Sequence, residues 1–248
     1  MPDKKLQKSA VPYRLSANSI KTKKEFGEAN KTASLIQDRF KKVMNPYWNR
    51  KKLNHFKRLI LKIIRSAPAE NTGNRMLCDG DIQLLKGYQI NTKATASYLF
   101  QKEVAFKVNP DNSLSLSIKP FKYHSAFIKP HPKASLAELK LYIFSFDPVN
   151  KTSSGKSILL LRLKHGEDLE EELKLDFPLE DNRLTLLVQK VSFKAELDRD
   201  IMDRQYIGAT VTNVFYIKNG QLVTFVPEPR KALAKKEELP VGVWEDLD

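Results

Sequence analysis

Three aspartates lie close together late in the chain, at Asp198, Asp200 and Asp203. Carboxylates at such short spacing could bind a hard cation such as Ca²⁺. The surrounding residues lack the central glycine and the distal glutamate of a calcium-binding loop, so a polar loop between two strands is the favoured interpretation. If the protein were an enzyme with an unrecognised site, these aspartates would be the first candidates for it.

Other residue patterns that support catalysis are incomplete. The tripeptide Gly155-Lys156-Ser157 resembles the end of a phosphate-binding loop, but Asn150 stands where the first glycine of that loop belongs. No G-x-S-x-G motif occurs, and the histidines lack metal-ligand spacing. The single cysteine, Cys78, rules out a disulfide within the chain and is expected to be a small buried apolar residue. We therefore predict no catalytic residue, no cofactor and no metal.

The positive charge is concentrated at one end of the sequence. The formal net charge is +14, and residues 1–65 contain 18 Lys and Arg against 4 Asp and Glu. The remaining residues contain 25 of each kind and are neutral overall. Such asymmetry indicates an anionic partner for the first quarter of the chain, either nucleic acid, a membrane surface or an acidic protein. An equally simple interpretation is a well-solvated basic helical surface.

Two amphipathic helices are predicted within residues 21–66. Thr22 and Glu25 have the spacing of a capping box, which predicts a helix start. The apolar residues that follow recur at intervals of three and four, at Phe26, Ala29, Ala33, Ile36, Phe40 and Val43. Asn45-Pro46 ends this helix, and a second runs over 47–64. Its apolar stripe contains Leu53, Phe56, Ile60 and Ile63, widened by Leu59 and Ile64. The pair predicts a helical hairpin.

The basic residues of this hairpin are the candidate binding residues for an anionic partner. They are Lys41, Lys42, Arg50, Lys51, Lys52, Lys57, Arg58, Lys62 and Arg65. Tyr47, Trp48 and His55 are interleaved with them and could stack on bases. A helix that reads a DNA groove needs short polar residues at its exposed positions, so binding without sequence preference is the expectation.

The rest of the chain is predicted to be a linker, a β-domain and a tail. Residues 1–20 are expected to be a flexible basic lead-in, and residues 67–81 have a loop composition. From Ile82 onward a period of two predicts strands, and Asn219-Gly220 predicts a tight hairpin. The predicted strands are 104–108, 114–118, 139–146, 157–164, 171–177, 184–194, 210–217 and 222–226. Many short strands favour a sandwich over 82–228, followed by a charged tail over 229–248 that contains Trp244.

Three segments resemble an uncharacterised family of Bacteroidetes proteins, a domain of unknown function. They are residues 24–36 (KEFGEANKTASLI), 145–150 (SFDPVN) and 204–211 (RQYIGATV). The resemblance covers most of residues 13–226. It implies a basic helical N-terminal region followed by an immunoglobulin-like β-sandwich, and it implies no activity or cofactor. The chain departs from the family at residues 12–16 (PYRLS), where the glycines of the family's opening segment are missing.

Together these patterns predict an α+β protein, with an N-terminal helical hairpin followed by an all-β immunoglobulin-like sandwich. The expected function is that of a non-enzymatic interaction or structural protein, whose basic helical arm docks on an anionic surface and whose sandwich binds a partner protein. The alternatives are a nucleic-acid-binding protein without sequence preference and, remotely, an enzyme with its site in the sandwich loops. No signal peptide or membrane span is visible, so a cytoplasmic location is expected. Truncation of residues 1–65 is expected to separate any electrostatic function from the rest; the oligomeric state stays open.

Overall fold

The computed structural model describes residues 15–44 and 51–226, and within these the side chains of Lys51 and Lys52 are not described. Two long helices come first, α1 (Ala17–Met44) and α2 (Lys51–Ser66), and two single-turn helices follow, α3 (Ala96–Leu99) and α4 (Tyr123–Ala126). The described residues also form eight strands, which are β1 (Ala105–Val108), β2 (Ser113–Ile118), β3 (Leu136–Phe146), β4 (Ser153–Lys164), β5 (Leu173–Pro178), β6 (Arg183–Lys194), β7 (Gly208–Lys218) and β8 (Gln221–Leu222). The predicted α+β class is confirmed.

The strands form two antiparallel sheets with the order β1-β2-β5 and β4-β3-β6-β7-β8. Strands one, two and five thus face strands three, four, six and seven, which is an immunoglobulin-like arrangement with β8 added at one edge. Seven of the predicted strands correspond to β1–β7, whereas the eighth, predicted over 222–226, is reduced to the two residues of β8. The turn between β7 and β8 has positive φ at Asn219 (51°) and Gly220 (74°), as the predicted type I′ hairpin requires.

The larger sheet is the middle layer of three, because both of its faces are covered. On one face, Leu184, Leu186 and Val188 of β6 share a hydrophobic cluster with α1 and α2. On the other face, Leu187 and Val191 share a second cluster with β2 and β5. Because both faces are covered, β6 is buried almost without interruption and even its Thr185, Gln189 and Ser192 are buried, whereas β2 alternates buried leucine or isoleucine with half-buried serine.

The helices are attached to the middle sheet by the apolar stripes that the sequence predicts. Ala29, Ala33, Ile36, Phe40 and Val43 of α1 are buried, as are Phe56, Ile60, Ile63 and Ile64 of α2. The ring of Phe40 lies 5.5 Å from that of Phe56 on α2 and 6.4 Å from that of Phe144 on β3, measured between centroids. The two helices therefore share one hydrophobic cluster with the helix-facing side of the middle sheet.

The start of α1 differs from the prediction. The helix begins at Ala17, inside the segment expected to be a flexible lead-in, and the Ser16 hydroxyl accepts a hydrogen bond from the Ser19 amide at 3.2 Å. Thr22 consequently lies inside the helix, where it cannot cap it. Phe26, expected in the apolar stripe, is 55% exposed. Its place facing the core is taken by Glu25, which is buried.

The segment after α2 also differs from the expected linker and strand pattern. Residues 67–81 contain two short 3₁₀ helices, Ala69–Asn71 and Leu77–Asp79, and bury Leu77 and Cys78 in the cluster beneath the helices. A side chain at Gly80 would overlap the carbonyl oxygen of Ile63, so this segment lies directly against the end of α2. A third 3₁₀ helix, Ile82–Leu85, stands where the period of two predicts a strand.

Candidate anion-binding surface

One face of α2 is buried against the middle sheet and α1, and the opposite, outer face is exposed to solvent. The helix contains six Lys and Arg and no Asp or Glu. With 100° per residue, His55, Arg58, Lys62 and Arg65 fall within an arc of about 80°. All four are exposed. We call these four residues the basic stripe; along the helix it extends for about 15 Å.

The predicted binding residues divide between this stripe and other places. Lys41 and Lys42 are exposed at the end of α1, and Lys41 Nζ lies 2.7 Å from Asp38 Oδ1. Lys57 is half-buried and lies outside the stripe. Lys51 and Lys52 form the first turn of α2, where only the backbone is described. Arg50 and the aromatic residues Tyr47 and Trp48 lie outside the described residues.

Arg65 has a second role at the end of the stripe, because it faces the buried carboxylate of Glu25. The Glu25 oxygens lie 3.6 Å from Arg65 Nε and 3.5 Å from Arg75 Nη1, and Oε1 accepts a hydrogen bond from the Gly73 amide at 3.0 Å. One carboxylate thus connects α1, α2 and the segment after α2. Arg58 and Lys62, in contrast, make no ion pair with any described residue, so they are the cations of the stripe that are free to bind.

A second charged cluster lies on the helix-facing side of the middle sheet and was not anticipated. The carboxylate of Glu138 on β3 is buried, and Lys140 Nζ lies 2.9 Å from its Oε2, in a geometry that makes an ion pair rather than a hydrogen bond. Arg162 and Lys194 approach its other oxygen at 3.6 and 3.9 Å. Because these residues come from three different strands, only the sheet pairing brings them together.

Lys190 lies beside this cluster and touches the end of α1. Its Nζ donates a hydrogen bond to the carbonyl oxygen of Val43 at 3.0 Å. Burial lowers the pKa of Lys190, and the neighbouring Lys140 lowers it further. A cation at a helix C-terminus stabilises the helix dipole.

The three aspartates considered as a cation site are not assembled into one. Asp198 pairs with Arg162 and lies 3.7 Å from Lys194, and Asp200 lies 3.4 Å from the same Lys194 Nζ. The Asp203 carboxylate accepts a hydrogen bond from the Gln205 amide at 2.9 Å. Within residues 15–44 and 51–226, no group of three His, Cys, Asp or Glu residues is placed to hold a metal ion.

An open cleft lies at the end of the sandwich that carries the loops 119–135 and 195–207. These loops meet because Leu136, which opens β3, pairs with Lys194, which ends β6. The cleft has a volume of about 580 Å³, and the described residues that line it include Tyr98, Tyr206, Lys93 and Lys129, with no acidic residue among them. Clefts of this size accommodate ligands or protein side chains. This end of the sandwich is the place where a partner could bind.

Cys78 is buried in the core, as its apolar character predicts. Burial raises the pKa of its thiol to about 12 from an ordinary value of 9.0. Because only the thiolate is nucleophilic, we expect iodoacetamide to label the folded protein at pH 8 at least about a hundredfold more slowly than the protein unfolded in urea. Mass spectrometry of timed samples measures the two rates. Comparable rates would contradict the buried position of Cys78.

Within the described residues, no helix has both the length and the apolar character that a membrane crossing requires. Comparison of the chain with protein-family models, with curated proteins and with solved structures finds no match.

Proposed function

We propose that this protein is a non-enzymatic interaction protein that attaches to an anionic surface through the basic stripe of α2 and binds a partner protein at the loop end of its sandwich. The observation that carries the proposal is the exposed stripe on a helix without a single acidic residue. The resemblance to the Bacteroidetes family and the cytoplasmic location stay predictions beside it.

Because α2 contains no Asp or Glu, any negative charge that balances the stripe comes from outside this helix. Cations three or four residues apart on a helix repel one another by about 0.2–0.5 kcal/mol per pair. They stay in place because the buried residues Phe56, Ile60 and Ile63 hold the helix against the core. An anionic partner would remove this repulsion and release counterions, which gives strongly salt-dependent binding.

Nucleic acid is the anionic partner that the surface favours. A helix that inserts into a membrane surface needs an accessible apolar face, and the apolar face of α2 is buried against the sheet. The stripe presents long cationic side chains together with His55, which suit phosphates better than base edges. We therefore infer binding to nucleic acid without sequence preference as the more specific form of this function.

Substitution of two stripe residues tests the proposal. In the variant Arg58→Gln/Lys62→Gln, we expect the slope of log affinity against log salt for duplex DNA to fall by about two, because each phosphate contact contributes about 0.9. Stability should change by less than about 0.5 kcal/mol, since both residues are exposed. Fluorescence anisotropy with a labelled duplex between about 50 and 200 mM salt measures the slope.

The matched control variant also removes two positive charges, but from the layer of the three-stranded sheet, on the side of the molecule opposite to α2. Lys107 on β1 and Lys119 after β2 are also exposed, and Lys107→Gln/Lys119→Gln should leave the slope unchanged. If the unmodified chain has no affinity for duplex or single-stranded DNA at low salt, the nucleic-acid function is wrong. Binding to vesicles that contain phosphatidylserine, lost in the stripe variant, would then identify a membrane as the anionic surface.

A further inference from the structure

The last twelve residues of the sequence, 237–248, have the opposite charge to the basic stripe. They contain five Asp and Glu and no Lys or Arg. Five large apolar residues lie among these acids, at Leu239, Val241, Val243, Trp244 and Leu247. This segment lies outside the described residues, and its chemistry is that of a ligand for a surface that is both basic and partly apolar.

The outer face of α2 has this combination of chemistry. The stripe cations Arg58 and Lys62 make no ion pair with any described residue. By the helical rotation of 100° per residue, Leu61 and Leu59 lie at the two borders of the stripe. Both leucines are half-buried against the core and so keep part of their side chains exposed. A segment with acids and apolar residues can pair with the cations and also cover the leucines, whereas a phosphate backbone can pair only with the cations.

The chain also leaves the described structure close to α2. A cleft of about 310 Å³ is lined both by Pro68 and Asn71, which follow α2, and by Thr224 and Val226, where the described chain stops. Ten residues lie between Val226 and Glu237, and the eleven Cα–Cα steps from one to the other can span up to about 36 Å. Because the basic stripe is only about 15 Å long, all of it lies within reach.

We infer that residues 237–248 dock on the basic stripe of the same chain, with acidic side chains on Arg58 and Lys62 and apolar side chains on the bordering leucines. A short connection holds the segment at a millimolar effective concentration, so docking within one chain exceeds docking between chains. Exposed ion pairs are individually weak and screened by salt, so the segment can be displaced. It then competes with an external polyanion, a consequence that rests on the function proposed above.

Carbodiimide cross-linking of the full chain tests the docking without any external ligand. The reagent joins a lysine to a carboxylate in direct contact. We expect peptides that link Lys62 to an acidic residue of 237–248, recovered from monomeric protein and lost at about 1 M salt, where the Debye length is about 3 Å. As a control, Lys107 on the opposite layer should form no link to this segment. Absence of the Lys62 link, or a link found only in dimers, would overturn docking within one chain.

A neutralised variant tests the competition. It carries Glu237→Gln, Glu238→Gln, Glu245→Gln, Asp246→Asn and Asp248→Asn in the otherwise unmodified chain. At low salt we expect it to bind duplex DNA about tenfold more tightly than the unmodified chain, because the local competitor is gone. Equal affinities together with no cross-link would overturn the inference while the proposed function stands. A cross-link in a chain that binds no DNA would support the docking and contradict the nucleic-acid function.

Discussion

Replacement of Phe40 by alanine is expected to lower the free energy of unfolding by about 3–5 kcal/mol. Phe40 is fully buried, and its ring contacts Phe56 on α2, Tyr88 after the 3₁₀ segments and Phe144 on β3. It therefore lies where the helical layer meets the middle sheet. Loss of the ring removes apolar burial from both sides of that junction and leaves a cavity that helices and sheet cannot close independently.

Urea denaturation measures this effect, followed both by helical ellipticity and by hydrogen exchange of the sheet amides. We expect both probes to report one coincident transition, because α1, α2 and the sheet share one core. Phe26→Ala is the matched control: it makes the same change in the same helix at a residue that is 55% exposed, and should shift stability by less than about 0.5 kcal/mol. Helices that melt before the sheet would contradict a shared core.

Replacement of Glu25 by alanine is the second large effect, with an expected loss of about 3–5 kcal/mol. The change leaves the guanidinium of Arg75, whose side chain is 9% exposed, without its counter-charge. It also leaves the Gly73 amide without its acceptor. Leaving a buried charge or hydrogen-bond donor without its partner costs more free energy than the intact interaction contributes. The variant is therefore destabilised where α1, α2 and the segment after α2 meet.

Two further variants, measured by the same urea denaturation, show which interaction of Glu25 accounts for the loss of stability. In Glu25→Gln the amide oxygen can still accept from Gly73, so we expect a smaller loss than in Glu25→Ala. Asp38→Ala removes an exposed carboxylate of the same helix, 66% exposed and paired with Lys41, and should cost less than about 1 kcal/mol. If Glu25→Ala and Asp38→Ala had equal effects, Glu25 would not be the connection that its contacts indicate.

Because α1, α2 and the middle sheet share one hydrophobic cluster, deletion of the helices would also affect the sheet. Removal of residues 1–66 would expose Phe144, Leu184, Leu186 and Val188 on the middle sheet, which are buried under the helices. The expectation that truncation separates the electrostatic function from the sandwich is therefore wrong for physical reasons. Point substitutions on the exposed stripe, such as Arg58→Gln/Lys62→Gln, change the charge and leave the core intact.

Local patterns were sufficient for the elements themselves. Alternation in the segment around Leu114 and Leu116 predicted β2, Asn219-Gly220 predicted the type of the turn between β7 and β8, and the apolar spacing of α2 predicted that Arg58 and Lys62 remain outside. These signals depend on neighbours within a few residues, where helix and strand periods dictate which side chains share a face. The concentration of positive charge in residues 1–65 and the exposure of Arg58 and Lys62 could therefore be predicted from the sequence, whereas Lys57, also a candidate binding residue, is half-buried.

Contacts between residues far apart in the sequence determined the features that local sequence patterns did not predict. The capping interpretation of Glu25 considered only Thr22, whereas its actual partners are Gly73 and Arg75, far along the chain, and Arg65 on the next helix. In the same way, an apolar stripe shows that a helix must be covered but does not show what covers it. Only the tertiary structure makes the basic helices a layer packed on the middle sheet rather than an arm attached to the sandwich, because burial depends on residues that are distant in sequence and adjacent in space.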